Sequence, residues 1–399
     1  MNKKFAFNRM ELAGSMGDLG TILPLALGMI LVNGLSAAGL FFSIGLFYIL
    51  TGLFFGITMP VQPMKVIGAY AIATMMTTQQ VMASSLLMSA VLLFIGLTGA
   101  INLIGEYTPK FVIRGVQFST GVLLMNQGFK MIMGNSKIQM LHGVAEPHLA
   151  LQSLGPIPIG IVIGIAGTIL TILLLDNRKI PAGLVIIISG FLTGLIFGNH
   201  KAFSSIKLGL YFPEWLPFGF PSKLDFMFVI FALVLPQIPI TIGNAVIANK
   251  NLSDTYFKEN SSKVTYKSLC VSMALGNLVS FSVGGMPQCH GAGGLSAHYR
   301  FGARTAGSNL IIGFIFIVLV VVLGNGIYGF LTMIPMAILG VLLLFSGSQL
   351  AMTFLDINKR KDLFVVLMML GITLSSNLAI GFGVGIFLAG MFKTNHFKV

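Results

Sequence analysis

Seven stretches of this sequence, at residues 40–58, 85–104, 156–175, 182–197, 226–248, 309–324 and 327–346, run without a single charged residue. At 1.5 Å of rise per residue, each is long enough, or nearly so, to cross roughly 30 Å of hydrocarbon as a helix. One large soluble core is excluded. Only 9% of the chain is charged, against about 25% in soluble domains, so too little polar surface remains to cover such a core. The chain is therefore expected to be an all-α polytopic membrane protein. Lys3 and Lys4 ahead of an apolar run resemble a signal peptide, but Asp18 interrupts the run and no small-x-small cleavage site follows. A retained first span is the better reading. Cys270 and Cys289 are too few for a disulfide framework and are read as reduced thiols.

Finer inspection predicts about 14 spans. They lie near 14–33, 36–57, 63–77, 80–104, 109–132, 156–175, 181–197, 224–248, 265–283, 290–299, 304–324, 327–349, 362–374 and 376–394. With both termini in the cytoplasm, 18 of the 24 Lys and Arg residues fall on the inner side, which is the positive-inside pattern. Arg114 is among them, as are Arg300 and Arg304, which are read as topology anchors. The net charge of +13 thus reports orientation in an inner or plasma membrane, with lipid as the surrounding partner and no nucleic acid.

Spans 3 and 10 break the apolar pattern. They read Met59-Pro60-Val61-Gln62-Pro63-Met64-Lys65 and Met286-Pro287-Gln288-Cys289-His290-Gly291. Each has a polar companion two spans earlier: Gly17-Asp18-Leu19-Gly20-Thr21, and Pro236 to Asn244. Seven spans separate the two sets, and an odd number inverts the second half, so the pattern predicts a 7+7 inverted repeat with short half-helices at spans 3 and 10. Interrupted helices at matching positions of two halves point to a transporter's binding site. Pro63 and Pro287 remove donors and disfavour helix in the preceding residue. Helices starting just after them aim free N–H groups at the midplane, each start carrying about half a positive charge, which suits an anion.

Candidate substrate-binding residues are Thr21, Gln62, Lys65, Gln237, Thr241, Asn244, Gln288, His290 and Gly291, with Asp18 as a coupling or orienting group. Lys65 is a cation in the first turn of a half-helix at membrane depth, and something must compensate it. An anionic ligand, Asp18 or snorkelling to the cytoplasmic face would each do so. Asp18 is read either as an N-cap or partner of Thr21, or as the group that orients Lys65 or carries a coupling proton. His290 beside Cys289 lacks the partners and spacing of a metal site; donation to an anion, or titration near neutral pH, fits better. Gln237, Thr241 and Asn244 lie four and three residues apart on one helix face, suited equally to interhelical bonding and to ligand contact. No hydrolase elbow, phosphate-binding loop, zinc-protease or dinucleotide motif stands on a suitable element, so neither an enzyme nor a cofactor is expected.

These motifs resemble the molybdate transporter type 1 family, related to the SulP sulfate transporters. The likeness is carried by Glu11-Leu12-Ala13-Gly14 with Gly17-Asp18-Leu19-Gly20-Thr21, by Pro60 to Lys65, by Pro236 to Asn244, and by Met286 to Gly294 with His298 to Arg304. It covers roughly residues 10–310. The resemblance implies high-affinity molybdate uptake on a fold similar to the SulP and nucleobase transporters. A core (10–105 and 222–324) would move against a gate (106–198 and 325–395), which often forms a homodimer, with the oxyanion between spans 3 and 10. Sequence continues only to Val399, so regulation by a SulP-type STAS domain is not expected. Sulfate and tungstate are the nearest alternatives, with a co-transported proton as possible partner. A nucleobase–proton symporter of this fold normally needs a carboxylate in span 8 or 10, and only Asp225 lies near, at the edge of span 8. An anion channel is the alternative of a different class.

Overall fold

A computed structural model describes residues 5–101, 109–175, 177, 182–198 and 208–393. Among the predicted inner and outer charges, Lys3, Lys4, Arg178, Lys179, Lys201, Lys207 and Lys398 lie outside these residues. The first half comprises α1 (Arg9–Ser15), α2 (Leu19–Leu31), α3 (Ala37–Phe55), β1 (Gln62–Pro63), α4 (Lys65–Thr74) and α5 (Thr78–Thr98). It continues with α6 (Lys110–Ile132), α7 (Lys137–His142), a two-residue hairpin of β2 (Ser153–Leu154) and β3 (Ile157–Pro158), α8 (Ile159–Leu174) and α9 (Ala182–Phe197). The second half opens on one long helical stretch with α10 (Lys223–Val229), α11 (Leu235–Ile240) and α12 (Asn249–Phe257). Then come α13 (Tyr266–Ser282), β4 (Gln288–Cys289), α14 (Ala292–Arg300), α15 (Gly307–Leu323), α16 (Gly326–Leu331), α17 (Met336–Ala351), α18 (Arg360–Ser375) and α19 (Leu378–Lys393).

Local chemistry sets many helix starts. Thr77 and Gln80 cap α5 reciprocally, as Ser222 and Asp225 cap α10 and Thr265 and Ser268 cap α13. By length and composition, five described helices can each cross a membrane: Arg9–Leu31, Ala37–Phe55, Thr78–Thr98, Lys223–Ser261 and Met336–Asp356. Large apolar side chains face outward on several helices, Leu173 at 75% exposure and Phe387 at 66% among them. On a water-soluble surface such patches would be a liability; against lipid they are the expected covering.

The eighth expected span departs from a regular helix. Backbone bonding widens to the π pattern over Ile230–Val234 and again over Thr241–Ala248. Pro236 and Pro239 explain it: each lacks an N–H and crowds the carbonyl four residues back, so the ladder slips by one residue on either side.

At the centre, β1 and β4 pair antiparallel, Gln62 opposite Cys289 and Pro63 opposite Gln288. Irregular backbone here is buried, and such backbone needs partners. Side-chain amides supply them. Asn277 bonds both N and O of Gln288, Asn309 bonds N and O of Met59, and Asn249 donates to His290 O. Elsewhere helices meet through glycine. A Cβ on Gly121 of α6 would lie 2.6 Å from the carbonyl oxygen of Gly347 in α17, and one on Gly347 would lie 2.7 Å from that of Gly121. Gly128 and Gly340 repeat the arrangement. The two helices therefore run antiparallel in backbone contact, the approach that small residues permit in membranes.

Candidate functional site

The starts of α4 and α14 converge beside the strand pair on a cavity of about 180 Å³. One wall carries Thr21 of α2, Lys65 of α4, Gln237, Thr241 and Asn244 of the Pro-broken helix, and Gly293 of α14. The facing wall carries Arg114 and Gln117 of α6, Ser346 and Gln349 of α17, and Thr353 just beyond it.

Five of the nine expected substrate residues thus line the cavity: Thr21, Lys65, Gln237, Thr241 and Asn244. Lys65 is half-buried and belongs to none of the ion pairs among the described residues. Gln237 is committed to the backbone: its Oε1 accepts from Val66 N at 3.1 Å and Ile67 N at 3.2 Å, and its Nε2 donates to Thr241 Oγ1 at 2.9 Å. At α14 the arrangement is open. Neither Ala292 N nor Gly293 N forms a hydrogen bond among the described residues, and a Cβ added at Gly293 would meet nothing within 4 Å.

The other four stand behind the wall. Gln62 donates to Asp18 Oδ1 at 2.6 Å and its Oε1 lies against Gly291, the N-cap of α14. Gln288 donates to Ser43 Oγ and Ser280 Oγ. His290 is fully buried, with Nδ1 2.8 Å from Pro60 O and Nε2 2.9 Å from Ser272 Oγ. A carbonyl oxygen only accepts, so Nδ1 carries the hydrogen and Nε2 is the acceptor toward Ser272. Both ring nitrogens are occupied within the protein, and none of Gln62, Gln288, His290 and Gly291 lines the cavity in this arrangement.

Asp18 is buried, makes no side-chain bond to the backbone of the helix it precedes, and forms no ion pair with Lys65. Its Oδ1 holds Gln62; its Oδ2 has no hydrogen-bond partner among the described residues and abuts Gly294 in the first turn of α14. Of the three ways to compensate Lys65, a direct Asp18 ion pair is absent, though Asp18 lies within electrostatic reach of Lys65.

Sequence reasoning missed the facing wall. Arg114, read only as an inner-side charge, lines the cavity while bonding Asp356 through Nε and Nη2 and Gln117 through Nη1. Lys110 also pairs with Asp356, at 2.8 Å. Two cations share one carboxylate, leaving a net positive mouth. Arg114 and Gln117 stand three residues apart on one face of α6, with Leu124 continuing that face along the cavity. Arg304 acts as more than an anchor: its guanidinium stacks on Tyr299 at 3.5 Å and donates to Tyr299 O in the last turn of α14 and to Ala303 O just beyond it.

Residues 10–124 and 229–350 match the family described as molybdate transporter of the MFS superfamily. The chain belongs to the molybdate transporter family. Molybdate transporter 2 of Arabidopsis thaliana is 31% identical over 96% of this chain and 87% of its own. Molybdate transporter 1 of the same plant is 30% identical over 96% of this chain and 88% of its own. The Chlamydomonas reinhardtii molybdate transporter 1 is 27% identical, over 94% and 90%. In backbone, the chain is similar to SLC26A9 (TM-score 0.68, 15% identity), covering 96% of this chain and 65% of that one. It is also similar to the transmembrane domain of the cyanobacterial bicarbonate transporter BicA (TM-score 0.66, 16% identity), covering 96% and 98%. At such identities these structures speak for the fold alone. This member of the molybdate transporter family is a multi-pass membrane protein with the fold of the SLC26 and BicA transporters.

Proposed function

We propose that this protein is a secondary transporter that takes up a tetrahedral oxyanion, molybdate first, by alternating access. The observation that carries the reading is the pairing, along one cavity, of a Lys65 that forms no ion pair among the described residues with the open start of α14. A helix start supplies about half a positive charge and Lys65 a full one. A dianion leaves a small remainder, which a co-transported proton would cover. Asp18 Oδ2, buried beside α14 and without a hydrogen-bond partner among the described residues, is the atom we assign to that proton, with Oδ1 orienting Gln62.

The moving parts follow the expected division, a core of 10–105 and 222–324 against a gate of 106–198 and 325–395. The division is supported by the cavity's lining, to which the proposed core contributes Lys65 and Gly293 and the proposed gate Arg114 and Gln349. Fourteen spans in a 7+7 inverted repeat, with α4 and α14 as its half-helices, are supported by the antiparallel pairing of β1 with β4 and of α6 with α17. We place both termini in the cytoplasm of an inner or plasma membrane on the distribution of Lys and Arg. The cavity then faces inward, because its wall continues to Arg114 near the start of α6. A homodimer would form through the gate.

Uptake into proteoliposomes tests this reading. Radiolabelled molybdate should accumulate saturably, more so with an inward proton gradient, and survive an excess of sulfate. Equal inhibition by sulfate would shift the substrate to that anion. Linear, non-saturating flux would replace the carrier by an anion channel.

A further inference from the structure

The two half-helix starts differ at one side chain. At α14, Ala292 N and Gly293 N form no hydrogen bond among the described residues, and Gly293 lines the cavity. At α4, Val66 N, which matches Gly293 N by position from the helix start, donates to Gln237 Oε1 together with Ile67 N; the counterpart of Ile67, Gly294, donates to Gly291 O at 3.0 Å. The carboxamide is 1% exposed and its nitrogen is engaged by Thr241, so it cannot turn toward a ligand without releasing all three bonds. An acceptor oxygen lying where two first-turn N–H groups converge occupies the position that an oxyanion's oxygen takes at a helix start.

We propose that Gln237 is a resident occupant of the α4 end. It closes that end to substrate, confines the anion to Lys65 and the α14 end, and keeps affinity below what two open ends would give, so that release stays fast. Gln237 is a positioning residue and not a ligand. The proposal rests on the oxyanion-transport reading above.

Two variants separate an occupant from a ligand, because they predict opposite signs. Gln237→Ala frees two N–H groups; if one reaches the anion, molybdate binding measured by calorimetry tightens about tenfold. In proteoliposomes kcat and KM should then fall together, since slower release follows tighter binding. Gln237→Glu keeps an acceptor of the same reach but sets a carboxylate beside the dianion, and binding should weaken more than tenfold. Unchanged or weaker binding in Gln237→Ala, with the wild-type melting temperature retained, overturns the proposal. Should Gln237→Ala not fold, wild-type affinity in Gln237→Glu overturns it equally. Absence of molybdate binding by the wild-type protein would instead sink the transport reading. Occupancy is then read without substrate: amide exchange at Val66 and Ile67 should quicken at least tenfold in Gln237→Ala, and an unchanged rate would overturn it.

Discussion

The chain enters α4 and α14 through closely similar lead-ins, Met59-Pro60 and Met286-Pro287, and their strands pair with each other. Beyond that point they diverge. The α4 start carries a cation, Lys65, and has its next two amides taken by Gln237. The α14 start carries no cation, and its first two amides, at Ala292 and Gly293, form no hydrogen bond among the described residues, with free space in front of the glycine. A repeat that begins symmetric has thus become a site with one charged, filled side and one neutral, open side. Asymmetry of this kind suits a substrate that must bind and leave. Two open ends plus a lysine would hold a dianion more tightly than transport requires.

The largest effect should come from the charged side. Lys65→Ala removes a cavity cation that forms no ion pair among the described residues, and molybdate affinity should drop roughly a hundredfold, on the scale of a buried charge-assisted contact. Wild-type affinity by calorimetry would contradict this. On the open side, Gly293→Ala sets a methyl where the anion approaches. Overpacking of that size weakens binding roughly tenfold, and a titration identical to wild type would show that the anion does not approach α14.

Asp18→Asn sharpens the comparison from behind the wall. The amide oxygen can still accept from Gln62, so binding should change less than about threefold, while stimulation of uptake by a proton gradient disappears. Retained stimulation would remove Asp18 from coupling.

Glu146 gives the smallest effect on transport and serves as a control remote from both ends. It accepts from Met336 N at 2.7 Å and Ala337 N at 2.8 Å, capping α17 from the loop between α7 and β2. Burial pushes its carboxyl up from 4.5 to about 7. A raised acid binds more protons folded than unfolded, so its contribution is fully present below pH 4.5 and is lost as pH rises to about 7. The loss is on the order of 3 kcal/mol. Glu146→Gln should flatten that part of the stability profile in thermal melts and leave molybdate affinity unchanged; an unaltered profile would refute the assignment.

Much of this was legible in the sequence. Uncharged runs announced the membrane, and two Met-Pro lead-ins marked where helices start beside the site. The roles of the polar residues near them were harder to read. Gln288 and His290 looked like ligands because they flank a break, yet buried irregular backbone and its neighbours consume polar side chains before any ligand can. Gln237 meets its partners across 171 and 170 positions of sequence, and no local pattern announces such a contact. Arg114 read only as an inner-side charge because charge at a helix start serves topology and site alike.

The most direct measurement is a crystal structure with tungstate, whose anomalous scattering marks the anion independently of any assumed pose. The account predicts a single peak within hydrogen-bonding reach of Lys65 Nζ and of the Ala292 and Gly293 amides, with Gln237 still seated on Val66 and Ile67. A peak at the α4 start, with Gln237 swung away, would contradict it.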